Sequence, residues 1–131
     1  MTKLISEIGW NHMGDMTLAK EMINASKENG ADFVKFQTWS VDRLTSGPWD
    51  EDGRLEIYKK AELSKDQHLE LYEYSNKVGI EFFSSVFSLE DADLLGQIQT
   101  KYVKIASFES RNLPLLAWCD SNFDEVYLST G

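Results

Sequence analysis

Runs rich in β-branched and aromatic residues at 4–8, 31–39, 80–87, 102–106 and 125–129 alternate with stretches of helical character. That alternation commits the chain to a parallel α/β sheet, because parallel strands need a crossover and a helix supplies one. The helix signals sit where the crossovers begin and end. Asp15 precedes a segment with Leu18, Met22 and Ala25 on one face, and Asn29-Gly30 follows as a stop. Ser64 with Gln67 forms a capping box, and Gly79 closes that helix after Leu71, Ser75 and Val78. Ser88 caps a short helix bearing Ala92, Leu95 and Ile98, and Asn112 with Pro114 opens another through Leu115, Leu116, Ala117 and Trp118. Residues 40–63 form a long polar connection broken by Gly47-Pro48 and Asp50-Glu51-Asp52-Gly53, with a short helix expected over 54–63. Long connections in compact domains are usually functional.

Each of four strands carries a chemically capable residue at or near its C-terminal end: Glu7, Lys35 with Gln37, Lys104, and Ser129. Parallel strands present those ends to one face. Period two places Lys35 beside Phe33 and Gln37, Lys104 beside Tyr102, and Ser129 beside Tyr127. Two architectures fit four βα units and a closing strand: an open doubly wound sheet, or the first half of a TIM (β/α)8 barrel. Length favours the open sheet, since a whole barrel takes about 200 residues or more. The lysines favour the barrel. In a doubly wound sheet both faces pack against helices and would bury the amines unpaired, whereas a barrel interior opens at an active-site mouth.

A chain of 131 residues is about one domain, and 42% apolar content suffices for a core. With 22 acidic against 13 basic side chains the net charge is −9, which disfavours nucleic acid and anionic membranes as partners. No apolar stretch approaches the ~20 residues of a membrane span, and the N-terminus lacks the apolar core of a signal peptide. The single cysteine, Cys119, forbids an intrachain disulfide, so a cytoplasmic location is expected.

The string SEIGWNHMGDMTLAKEMINASKENGADFVKFQTW resembles the N-terminal signature of the sialic acid synthase family, an EIG-x-NH-x-G-D element followed by GAD-x-VKFQT. The later strings ELSKDQH, GIEFFSSVFS, KIASFES-x-NLPLL and YLSTG are similar to that family's following elements, in the same order. The resemblance covers residues 5–131. It implies that residues 1–131 are the N-terminal portion of a synthase barrel, about five parallel strands and four principal helices, without the remaining strands and the C-terminal antifreeze-like domain.

The implied activity is a condensation of phosphoenolpyruvate with an open-chain N-acylated amino sugar. The methylene carbon of phosphoenolpyruvate bonds to the aldehyde carbon, water adds to the resulting cation, and phosphate leaves, giving a nonulosonic acid. The resemblance assigns Lys35, Ser85, Lys104, Ser107 and Ser129 to phosphoenolpyruvate, and Gln37 and Glu109 to the sugar. Glu109 is also a candidate for proton transfer, and Glu7 for orienting phosphoenolpyruvate or the attacking water. Asn11 and His12 are placed in the first loop at the mouth. A divalent metal, manganese or magnesium, is implied as well, held by two histidines on strands beyond the fifth and so by no residue of 1–131. Ser85 stands where the family usually has threonine, and Phe108 where the sialic acid branch often has glycine and the pseudaminic branch phenylalanine. The 40–63 connection is shorter than elsewhere in the family.

Other readings accompany these. Glu7 alone is equally a strand-end carboxylate paired to a lysine, and the serines are ordinary turn or cap residues. His12 reads as a loop histidine, His68 as a residue on an exposed helix face, Cys119 as a packed thiol, and Trp10 and Trp39 as residues lining the mouth or, more simply, as core or rim packing. Half a barrel has two unpaired strand edges and an interior open to water, so a homo-oligomer, a complementary half, or a longer polypeptide is expected. A non-catalytic half-barrel serving binding or assembly is the competing function.

Overall fold

The computed structural model describes residues 2–131. Five parallel strands, β1 (Ile5–Gly9), β2 (Phe33–Thr38), β3 (Glu81–Val86), β4 (Tyr102–Ile105) and β5 (Glu125–Leu128), lie in the order β1-β2-β3-β4-β5. Between them run α1 (Met16–Glu28), α2 (Arg54–Ala61), α3 (Lys65–Val78), α4 (Leu89–Gln97) and α5 (Leu113–Asn122). Strictly sequential order decides the architecture. With crossovers of one hand it stacks every helix on the same face, whereas a doubly wound sheet must reverse its order to cover both. The sheet is therefore of the barrel type, and β1 and β5 are each paired on one side only. Among the described residues, no helix is long and apolar enough to cross a membrane.

The expected caps form. Asp15 accepts from the backbone N–H of Thr17 and Leu18, Ser64 and Gln67 close a reciprocal box, Ser88 accepts from Asp91, and Asn112 accepts from Leu115. Gly79 terminates α3.

The outward face of the sheet builds the core. Val34, Phe36 and Phe82 pack under α1 and α3 with Ala19, Ile23 and Leu71, while Val86, Val103 and Ile105 pack under α4 and α5 with Leu95, Leu115 and Cys119. Each large side chain so buried contributes about 1.5–3 kcal/mol. The face of α1 is shifted from the expectation: Ala19 and Ile23 are buried and Ala25 is exposed, while Met22 still packs, partly buried, against the core. The small Ala19 lets the helix backbone approach the sheet, and that close fit turns the helix by about one residue.

His68 also departs from the expected exposed position. It is fully buried between α3 and the sheet, where its Nδ1 lies 2.9 Å from the Ser64 carbonyl and its Nε2 lies 2.8 Å from the Thr38 hydroxyl. His12 is buried as well, tilted against Phe36 at 5.8 Å between ring centres, with its Nδ1 accepting from the Gly14 N–H at 3.0 Å. Phe36 points toward the helices, so the His12 ring belongs to the packing layer and not to the mouth. Burial lowers the pKa of both imidazoles, that of His68 to about 4. Cys119 is buried, and desolvation raises its thiol to about 11.

Candidate active site

The inward face of the sheet carries first an aromatic layer and then a polar one. Phe33, Phe83, Tyr102 and Tyr127 meet edge-on or tilted, with ring centres 5.6 Å apart for Phe33 and Phe83, 5.2 Å for Phe33 and Tyr102, and 5.2 Å for Phe83 and Tyr127. This layer floors the site and keeps water from the lysine stems above it.

On that floor one arrangement occurs twice. Lys35 is in register with Phe83, and its Nζ donates to the hydroxyl of Ser85, two residues further along β3, at 2.9 Å. Lys104 is in register with Tyr127, and its Nζ donates to the hydroxyl of Ser129, again two residues along the next strand, at 2.6 Å. The diagonal reach follows the stagger of barrel strands and aims both amines toward the C-terminal mouth. Lys35 also pairs with Glu7, and Lys104 donates to the Ile105 carbonyl at 3.0 Å. Desolvation, and after it the charge of Lys35, lowers the Lys104 pKa, while Glu7 opposes that shift. Glu7, Lys35, Ser85, Lys104 and Ser129 thus form one cluster with two cations and one carboxylate.

Gln37 and Glu109 stand apart from this cluster, on the walls of a cleft of about 470 Å³ beside it. The Trp39 indole N–H donates to Gln37 Oε1 at 3.3 Å, and Glu109 Oε2 accepts from Asn112 Nδ2 at 2.8 Å. Glu7 and Gln37 flank Gly9, where a β-bulge shifts the register at the end of β1 and joins cluster to cleft. Ser107 begins the single turn Ser107–Glu109 after β4, exposed at the rim. Asn11 is exposed and caps its own turn through the Ile8 carbonyl at 2.8 Å.

Residues that sequence reasoning missed come from the 40–63 connection. Tyr58, on α2, is the hub of an aromatic wall, with Trp10, Trp39 and Trp49 at 5.9, 5.5 and 5.5 Å from its ring centre. Trp10 and Trp39 thus line the cleft, and Trp39 is at the same time buried. Arg43 anchors the connection by pairing with Asp91 at the start of α4, whose carboxyl is pushed up by burial in spite of the guanidinium. The available signal was a polar connection carrying Trp49 and Tyr58 without an apolar period to bury them. Among the described residues no group of three or more His, Cys, Asp or Glu is placed to hold a metal ion, and both histidines face the helices.

Relatives share this sequence and shape. An N,N'-diacetyllegionaminic acid synthase of Legionella pneumophila is 39% identical over 98% of this chain and 39% of its own length. A pseudaminic acid synthase of Helicobacter pylori is 36% identical over 98% of this chain and 41% of its own length. The crystal structure of an N-acetylneuraminic acid synthetase from Leptospira borgpetersenii superposes with a TM-score of 0.84 at 35% identity, covering 98% of this chain and 44% of that one. The chain thus spans about two fifths of the length of the curated relatives it matches. The NeuB family model matches residues 22–131, a stretch that includes Lys35, Gln37, Lys104 and Glu109, so the chain belongs to the NeuB family of sialic acid synthases.

Proposed function

We propose that this chain forms the phosphoenolpyruvate-binding part of an enzyme that condenses phosphoenolpyruvate with an N-acylated amino sugar to give a nonulosonic acid and phosphate. The observation that carries the reading is the doubled lysine-serine pair. Lys35 has a side chain only 11% exposed, and the two amines repel one another across β3 with Glu7 as their one carboxylate. Such a cluster gains from an anion that spans both amines, and phosphoenolpyruvate carries its phosphate ester and its carboxylate on one carbon. The hydroxyls of Ser85 and Ser129, already held by the amines, and that of Ser107 at the rim complete a donor set for the same anion.

Gln37 and Glu109 face the neighbouring cleft and take the sugar, with Glu109 able to accept or return a proton there. Glu7, between the two, orients phosphoenolpyruvate or the attacking water. The relatives' names, synthases of legionaminic, pseudaminic and neuraminic acids, support the product class. Among the described residues, no group of three or more His, Cys, Asp or Glu converges to hold the divalent cation that the family resemblance implies. Residues 1–131 act, in this reading, as the N-terminal portion of a longer synthase barrel or together with a complementary half.

Calorimetric titration with phosphoenolpyruvate at low salt tests this directly. Saturable binding is expected, weakened tenfold or more in Lys35→Ala and in Lys104→Ala, as loss of one charge-assisted hydrogen bond implies. Unchanged affinity in both variants sinks the assignment.

A further inference from the structure

We propose that Lys104 forms a covalent imine with 2-oxo acids, a reaction closed to phosphoenolpyruvate, which has no ketone carbonyl. The two lysines of the cluster are held differently. Lys35 is tied to Glu7 and to the Ser85 hydroxyl with its side chain only 11% exposed, and so serves as a fixed cation. Lys104 donates to the Ser129 hydroxyl at 2.6 Å and to the Ile105 carbonyl at 3.0 Å. Among the described residues its third N–H position has no partner, so that on deprotonation the lone pair takes the open direction. Ser85, the acceptor for Lys35, is in register with Lys104, and β3 carries it between the two amines.

A 2-oxo acid bears its carboxylate directly on its carbonyl carbon. With the carboxylate on the Lys35 ammonium, that carbon is brought to its neighbour, Lys104. Lys104 has the setting of an imine-forming lysine: desolvation, and next the charge of Lys35, disfavours its ammonium form, although Glu7 opposes them. Beneath it lies the aromatic floor, with Tyr127 in register. The Nζ lone pair adds to the carbonyl carbon while the C=O π pair moves to oxygen. Both hydrogens of the neutral amine then leave with that oxygen as water, and the C=N bond remains. The Ser129 hydroxyl, in contact with Nζ, relays these protons. The open-chain nonulosonic acid of the reaction proposed above is itself a 2-oxo acid, so on that reading the same amine retains product.

Reductive trapping in the chain itself tests this. Pyruvate and sodium cyanoborohydride convert an imine into a stable secondary amine, and peptide mass spectrometry locates it. Lys101, exposed three residues earlier, is the internal reference. Lys104 is expected to be labelled about tenfold or more faster than Lys101, with a half-maximal pH below the ordinary lysine value of 10.5. Acetone offers Lys35 no carboxylate, so with acetone the excess falls about tenfold, as loss of one charge-assisted hydrogen bond implies. Lys35→Met lowers the pyruvate excess by a similar factor and moves the half-maximal pH upward. If circular dichroism shows that variant unfolded, Lys35→Gln is read in its place, and the comparison of pyruvate with acetone needs no variant. The proposal is overturned by labelling of Lys104 no faster than that of Lys101, by an excess equal for pyruvate and acetone, or by a folded Lys35 variant with unchanged rate and pH dependence.

Discussion

Gly14→Ala is expected to destabilise the protein by about 3 kcal/mol, the sum of a left-handed backbone penalty and a steric overlap with no soft partner. Gly14 has φ +80°, and a Cβ built there falls 1.9 Å from the backbone carbonyl oxygen of Lys60 in the last turn of α2. Backbone cannot swing aside as a lysine tip would, so either the first βα loop or α2 must move. Gly30 provides the control, for its φ is +84° but nothing lies within 4 Å of the added carbon. Gly30→Ala therefore reports the left-handed backbone penalty of about 1–2 kcal/mol alone, and the difference between the variants reports the collision. Urea unfolding of the two measures it. A Gly14→Ala midpoint equal to that of Gly30→Ala would mean that the loop and α2 are not docked as described. Because α2 carries Tyr58, Gly14→Ala is also expected to disturb tryptophan emission from the cleft while Gly30→Ala does not. The glycine of the NH-x-G-D element thus has a physical reason that does not pass through chemistry: it lets one loop lie against the helix that walls the cleft.

Much of this fold is legible because its instructions are local. Asp15, Ser64 with Gln67, Ser88 and Asn112 each satisfy backbone groups within three residues, and the structure uses every one. The barrel was legible through the period-two placement of Lys35 and Lys104, since only a face without helices leaves their amines an outlet. What was not legible depends on distant partners. Leu18, Met22 and Ala25 share a face as regularly as Met16, Ala19 and Ile23 do, and only the approach of α1 to β1 and β2 turns the helix so that Ala25 is left outside while Met22 stays at the edge of the core. Tyr58 carries no mark of its role until the connection folds back over Trp10 and Trp39. The ring of His68 is claimed by Thr38, thirty residues earlier on β2, so the helix pattern around it gives no warning that it is buried.

His68 makes acid stability the second large expected effect. The Ser64 carbonyl can only accept, so Nδ1 carries a proton, while Nε2 lies 2.8 Å from the Thr38 hydroxyl, which donates to the Ser84 hydroxyl at 2.7 Å. A second proton on the ring would place a positive charge in a buried site, and that desolvation lowers the folded pKa from 6.5 to about 4. Between those values the unfolded chain holds the extra proton, so stability is full above pH 6.5 and falls as the pH descends to about 4, by about 3 kcal/mol in all. His12 adds a loss of the same sign, and Asp91, whose carboxyl is shifted up by burial, offsets part of it. Urea unfolding at pH 7, 5.5 and 4 in wild type and His68→Gln isolates the His68 share, since the variant has no ring to titrate. The His68 Cε1 proton, followed by NMR, should keep the shift of neutral imidazole at pH 5. A ring that titrates near 6.5, or a wild-type pH slope equal to that of His68→Gln, would contradict the burial argument. Protonation acts where the site begins, because Thr38 lies between Gln37 and Trp39 at the end of β2. Loss of its bond to His68 loosens the strand end that presents both side chains to the cleft, so acid should change tryptophan emission before the sheet itself unfolds.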